Sequence, residues 1–136
     1  MIVEELMSPL PYVVSPRDTV GDVLRVLAEA EVRHLPVVED HALVGIVSDR
    51  DLREFSPTAM KEFDDPSGVD RLLSTPIARV MNSDVVTTHP EAEVGEAVDL
   101  MLDNKIGAVP VVEAGTQKLV GIVSYVDVLR AARDLL

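Results

Sequence analysis

Cysteine is absent from the chain, and with it go disulfides, thiolate catalysis and Cys-based zinc sites. Tryptophan is absent as well, and aromatic residues amount to 3% of the sequence: Tyr12, Phe55, Phe63 and Tyr125. The core must therefore be aliphatic. Positive charge is scarce, with 12 Lys+Arg against 24 Asp+Glu and a formal net charge of −12. Such a surface repels nucleic-acid phosphate, and no Lys/Arg cluster interrupts it, so nucleic acid is not an expected partner. No apolar run approaches the roughly 18 residues of a membrane helix. Met1-Ile2-Val3-Glu4-Glu5 carries neither the basic leader nor the apolar stretch of a signal peptide. A soluble cytoplasmic protein without a membrane partner is the resulting expectation. Also missing are a P-loop, a Gly-x-Gly-x-x-Gly run and any recognisable nucleophile–base spacing, so no catalytic residue is assigned and no enzyme is expected. His34, His41 and His89 are scattered, and no metal site is expected from them.

What the chain does have is length for one domain, 136 residues with 47% hydrophobic, and an internal repeat. Met7, Pro16, Val20, Gly21 and the run Pro36-Val37-Val38-Glu39 recur 74 positions later as Met81, Pro90, Val94, Gly95 and Pro110-Val111-Val112-Glu113. After two extra residues the offset becomes 76, and Leu43-Val44-Gly45-Ile46-Val47-Ser48 matches Leu119-Val120-Gly121-Ile122-Val123-Ser124, with Asp51 on Asp127. Two copies are too few for a solenoid and point to a pseudo-symmetric pair sharing one core.

Each copy reads as strand, helix, strand, strand, helix. Tyr12-Val13-Val14 and Val85-Val86-Thr87 are short β-branched runs before a proline. Val20, Val23, Leu24, Leu27 and Ala28, and likewise Val94, Ala97, Val98, Met101 and Leu102, recur at helical spacing. Thr19 and Asp22 form a capping pattern at the first of these helices. Leu35–Val38 with Leu43–Val47, and Val109–Val112 with Leu119–Val123, read as hairpins, each followed by a helix starting near Ser48 or Ser124. The expected organisation is repeat 1 over 1–60, a linker over 61–76 and repeat 2 over 77–136. The polar stretch from Ser56 to Pro76 has no counterpart in repeat 1 and carries a short helical piece at Val69–Leu73. Its Asp64-Asp65 pair reads as a solvated acidic loop.

Three features carry chemistry. Gly45 and Gly121 let a ligand or a neighbouring backbone come close. Ser48 and Ser124 stand at strand-to-helix turns, where free N–H groups and the positive end of the helix dipole suit phosphate. Asp51 and Asp127 follow one turn later, on the serine's side. The same Ser-x-x-Asp spacing also makes a capping box, with Asp in place of Glu, and spacing does not separate the two roles.

Two Leu/Val-Pro-Val-Val hairpins, each closed by Gly-Ile-Val-Ser-x-x-Asp, resemble a pair of cystathionine β-synthase (CBS) domains, a Bateman module. The resemblance covers nearly the whole chain. It implies a mixed α/β (α+β) fold of two pseudo-symmetric repeats packed sheet to sheet into one disc. It implies an adenosine-containing ligand (AMP, ADP, ATP or S-adenosylmethionine) in clefts between the repeats, with the aspartate on the ribose hydroxyls, and a regulatory role with no required cofactor. By the same resemblance the main cleft holds Arg33, His34, Ile46, Ser48 and Asp51 of repeat 1 with Ser83, Val85, Ile106, Gly107, Ala108 and Pro110 of repeat 2. Gly107 and Ala108 face the base, while Arg33 and His34 reach the phosphates. A second, weaker cleft holds Ile122, Ser124, Asp127 and Pro36. An exposed basic helix end accounts equally for Arg33 and His34. The amphipathic C-terminal stretch Val126, Val128, Leu129, Ala132, Leu135 and Leu136 leads to the expectation of a homodimer; a ligand-free assembly scaffold is the alternative.

Overall fold

The computed structural model describes residues 1–9, 12–53 and 66–136. Asp64 and Asp65, and the first part of the linker, lie outside the described residues. The elements run α1 (Val3–Leu6), β1 (Ser8–Pro9), α2 (Val20–Ala30), β2 (His34–Glu39), β3 (Ala42–Ser48), α3 (described over 49–53), α4 (Pro66–Leu73), a 3-10 turn (Ile77–Arg79), α5 (Val94–Asn104), β4 (Ala108–Val112), β5 (Leu119–Ser124) and α6 (Tyr125–Arg133). Two sheets form, β2-β3 and β1-β5-β4.

The chain divides into two units whose borders cross the repeat borders. One groups the described residues of 12–40 and 44–84; the other groups those of 1–11, 41–43 and 85–136. Each unit thus takes in the opening segment of the other repeat. In the first unit Ile46 and Asn82 exchange backbone hydrogen bonds, N–H to O at 2.9 Å in both directions. At the equivalent place in the second unit, Ser8 and Pro9 pair antiparallel with Ile122 and Gly121. The pseudo-symmetry extends to the helix starts, where Val20 N–H donates to Thr75 O (2.9 Å) and Val94 N–H to Met1 O (3.0 Å).

The first unit closes over Val14, Val20, Val23, Leu27, Leu35, Val37, Val47, Leu52 and Ile77. The second closes over Val3, Ala97, Met101, Val109, Val111 and Val123. Both cores are aliphatic, as the shortage of aromatic residues requires. The helical periodicity is broader than the face actually covered: Leu24 is 43% exposed and Leu102 69% exposed. The short runs 12–14 and 85–87 do not become strands. Only single bridges form, Val14 with Val37 and Thr88 with Val111, and the prolines that follow end the pairing. Asp40 and His41, with φ of 51° and 67°, turn the first hairpin with both central residues left-handed, the twist that suits a tight antiparallel connection.

Candidate functional site

Ser48 ends β3 and Asp51 lies in α3. Ser48 N–H donates to Asp51 Oδ2 at 2.8 Å, and Asp51 N–H donates to Ser48 Oγ at 3.0 Å. The second motif repeats this: Ser124 N–H and Oγ–H donate to Asp127 Oδ2 at 2.9 and 3.1 Å, and Asp127 N–H reaches Ser124 Oγ at 3.4 Å. Both pairs are capping boxes. The cap draws on Oδ2 of each aspartate, and a carboxylate has acceptor capacity beyond that, so the same residue can hold a helix end and accept from a ligand hydroxyl. In the second motif Asp127 Oδ1 lies 4.0 Å from Arg130 Nη1. A groove of about 380 Å³ runs beside it, between Glu5 and Leu6 of α1 and Asp127, Arg130, Ala131 and Asp134 of α6.

Each unit ties the residues before its first hairpin strand to the start of the following helix. Asp49 N–H donates to Arg33 O at 3.0 Å, and Tyr125 N–H donates to Gly107 O at 3.0 Å. Arg33 and His34 therefore stand beside the Ser48–Asp51 cap. In the second unit, Gly107 and Ala108 occupy the corresponding place beside Ser124, with Ala108 in register with it. His34 is half-buried. Burial holds its imidazole below the ordinary value of 6.5, against the pull of Asp49 and Asp51 and with the repulsion of Arg33. The imidazole is accordingly neutral at neutral pH, so Arg33 alone supplies standing positive charge among the sequence-selected residues of this cluster.

The remaining candidates divide between the units. Ile46, Ser83 and Pro36 belong to the first; Val85, Ile106, Pro110 and Ile122 belong to the second. Pro36 and Pro110 are fully buried. Their carbonyls accept from Val14 N–H (3.0 Å) and Thr88 N–H (3.1 Å), which gives both prolines a core role and leaves their side chains no surface for a ligand. Gly45 and Gly121 admit a neighbouring side chain and neighbouring backbone. A Cβ on Gly45 would lie 2.6 Å from Met81 Sδ and 3.2 Å from Asn82 O; on Gly121 it would lie 2.6 Å from Met7 Sδ and 3.0 Å from Ser8 O. Sequence reasoning missed Asp49 as a neighbour of His34, and it used Met7 and Met81 only to set the repeat register. Their pairing with the two glycines at nearly the same offset was the available signal. Among the described residues, no group of three His, Cys, Asp or Glu side chains could hold a metal ion. Nor is any described helix long and apolar enough to cross a membrane.

Comparison with known proteins fits this arrangement. The CBS domain model matches residues 3–57 and again 77–134. The chain belongs to the CBS domain family, as a tandem pair. CBSX2 of Arabidopsis thaliana, a CBS-pair protein solved in complex with AMP, is 31% identical and superimposes with a TM-score of 0.81, covering 98% of this chain and 97% of that one. Protein MJ1225 of Methanocaldococcus jannaschii is 26% identical with a TM-score of 0.88, over 96% of this chain and 47% of that one. Inosine-5'-monophosphate dehydrogenase of the same organism is 33% identical over 128 residues, 89% of this chain. The CBS pair spans only 23% of that enzyme's length.

Proposed function

We propose that the chain is a non-catalytic regulatory CBS pair that binds an adenosine-containing ligand of the AMP, ADP or ATP class, and that the Ser48–Asp51 motif binds it more tightly than Ser124–Asp127. The observation that carries this reading is the pair of aspartates held by caps that use Oδ2, in a chain 31% identical to a CBS pair solved with AMP. The asymmetry rests on what stands beside each cap. Arg33 lies next to Ser48–Asp51, whereas Gly107 takes its place next to Ser124, and Arg130 already engages Asp127. A charge-assisted hydrogen bond from a guanidinium to phosphate is worth roughly 1.5–3 kcal/mol, about one to two decades in affinity.

Titration calorimetry with AMP, ADP, ATP and S-adenosylmethionine tests the reading on wild type, Asp51→Ala and Asp127→Ala. Asp51→Ala is expected to remove most of the high-affinity binding and Asp127→Ala to leave it nearly intact. Equal losses would end the asymmetry. A ligand-free scaffold is the second reading, favoured by the complete capping boxes, which account for both Ser–Asp pairs without a ligand. It predicts no heat from any of the four compounds, and a stability loss of about 1 kcal/mol from either aspartate variant.

A further inference from the structure

The two repeats set the same helix in different surroundings. α2 and α5 align at the offset of 74, with Val20 on Val94 and Gly21 on Gly95. In the first unit α4 packs on α2. A Cβ on Gly21 would lie 3.2 Å from Leu73 O and 3.5 Å from Leu73 Cβ, so the glycine lets the end of α4 settle on the helix. In the second unit, among the described residues, nothing lies within 4 Å of a Cβ on Gly95. Burial follows the same difference. Val20 is 2% exposed, whereas Val94 is only half-buried and Gly95 is exposed.

Val98, Asp99 and Leu102 continue the Gly95 face at helical spacing. In the first repeat Ala28 stands where Leu102 does, and Arg25 where Asp99 does. The uncovered face therefore carries the larger apolar side chain, exposed at Leu102, and the opposite charge. Glu96, Asp99 and Asp103 are exposed beside it, and α5 contains no Lys or Arg. A second copy of the chain suits this face poorly, because a two-fold axis would set these carboxylates against one another.

We propose that this face of α5 docks a short amphipathic helix of a partner protein, apolar along one side and edged with Lys or Arg. Its apolar side would lie over Gly95, Val98 and Leu102, as α4 lies on α2, with its cations on Glu96, Asp99 and Asp103. Gly95, Val98, Asp99 and Leu102 have the i, i+3, i+4, i+7 spacing by which one helix reads another. The inference is independent of any ligand at the Ser–Asp motifs.

Two labelled peptides of about 15 residues test it, one of Leu and Lys at amphipathic spacing, the other with Glu for every Lys. Fluorescence anisotropy follows their binding to wild type, Leu102→Glu, Asp99→Arg, Asp103→Lys and Glu29→Lys, each checked for its fold by circular dichroism. Glu29 is the α2 counterpart of Asp103, so the last two variants have equal net charge. Wild type is expected to bind the Leu/Lys peptide and not the Leu/Glu peptide. Asp99→Arg and Asp103→Lys should each weaken binding by about tenfold, and Glu29→Lys by less than about twofold. Leu102→Glu should also weaken it by about tenfold, although it adds a carboxylate that simple charge attraction would favour. Bound peptide should slow hydrogen exchange in α5 and leave α2 unchanged. No binding of the Leu/Lys peptide, equal binding of both peptides, an equal loss from Glu29→Lys, or undiminished binding by Leu102→Glu overturns the proposal. So does a wild-type dimer that Leu102→Glu dissociates, which would give the face to a second copy.

Discussion

Gly45 and Gly121 sit in the buried middle of their strands because a methionine from the opening segment of the other repeat occupies the space a side chain would need. Met81 lies over Gly45 and Met7 over Gly121. A methionine can bend away at some cost, but Asn82 O and Ser8 O, at 3.2 and 3.0 Å from the added Cβ, belong to paired backbone and cannot. Gly45→Ala is therefore expected to destabilise by about 1–3 kcal/mol, the usual cost of overpacking. Met81 is half-buried, so Met81→Ala alone is expected to cost about 1–2 kcal/mol, below the range for a fully buried methionine. Because the double variant removes the sulfur that the new methyl group meets, the two losses should fall short of adding. Denaturant unfolding of all four proteins measures that coupling, and strict additivity would show that the methionine does not fill the glycine's space.

At the scale of elements, the helices show how far pattern alone reaches. The Thr19–Asp22 box forms as its spacing predicts: Thr19 N–H meets Asp22 Oδ2 at 3.0 Å, and the Thr19 backbone and hydroxyl hold the Asp22 carboxyl below its ordinary value of 3.8. Both hairpins were legible from β-branched runs around turn residues, because period and turn chemistry are local. The exchange of segments between the units was not. Nothing in Val3–Pro9 says that it pairs with β5, since that contact joins residues more than a hundred positions apart. For the same reason the sequence left open whether a ligand or neighbouring backbone approaches the glycines, and the structure brings Asn82 O and Ser8 O there. The sequence pattern carries the helices on to Val32 and Ile106 because the residue type at their ends is unfavourable there: α2 and α5 stop at Glu31 and Lys105, both at φ 54° and exposed, where glycine would carry no penalty. Glu31→Gly and Lys105→Gly are each expected to stabilise by up to about 1 kcal/mol, read as a rise in the denaturation midpoint. A fall in the midpoint would mean that the side chain contributes more than the left-handed conformation costs.

For the whole molecule, the open question is what covers α6. Its inner positions are spoken for, with Val128 half-buried against the second unit's core. Its outer positions are not apolar by accident of the chain end alone: Val126 is 39% exposed and Leu129 61%, both well before the terminus, and Leu135 follows at 86%. The sequence expectation placed Val128 and Ala132 on the same interface, but the structure turns both partly inward and leaves Val126, Leu129 and Leu135 as the outward set. We propose that this outward set packs against a second copy about a two-fold axis, the commonest symmetry of soluble oligomers. A two-fold interface would bury Leu129 twice. At about 25 cal/mol per Å² of apolar surface, two leucines contribute about 3 kcal/mol together, a factor of roughly a hundred in the dissociation constant. Light scattering at tens of micromolar should give a dimer for wild type and a shift to monomer for Leu129→Glu, with the fold retained by circular dichroism. The exposed Leu102→Glu change on α5, outside this set, should leave the dimer in place. A monomeric wild type, or a dimer that Leu129→Glu leaves intact, would remove α6 from any interface.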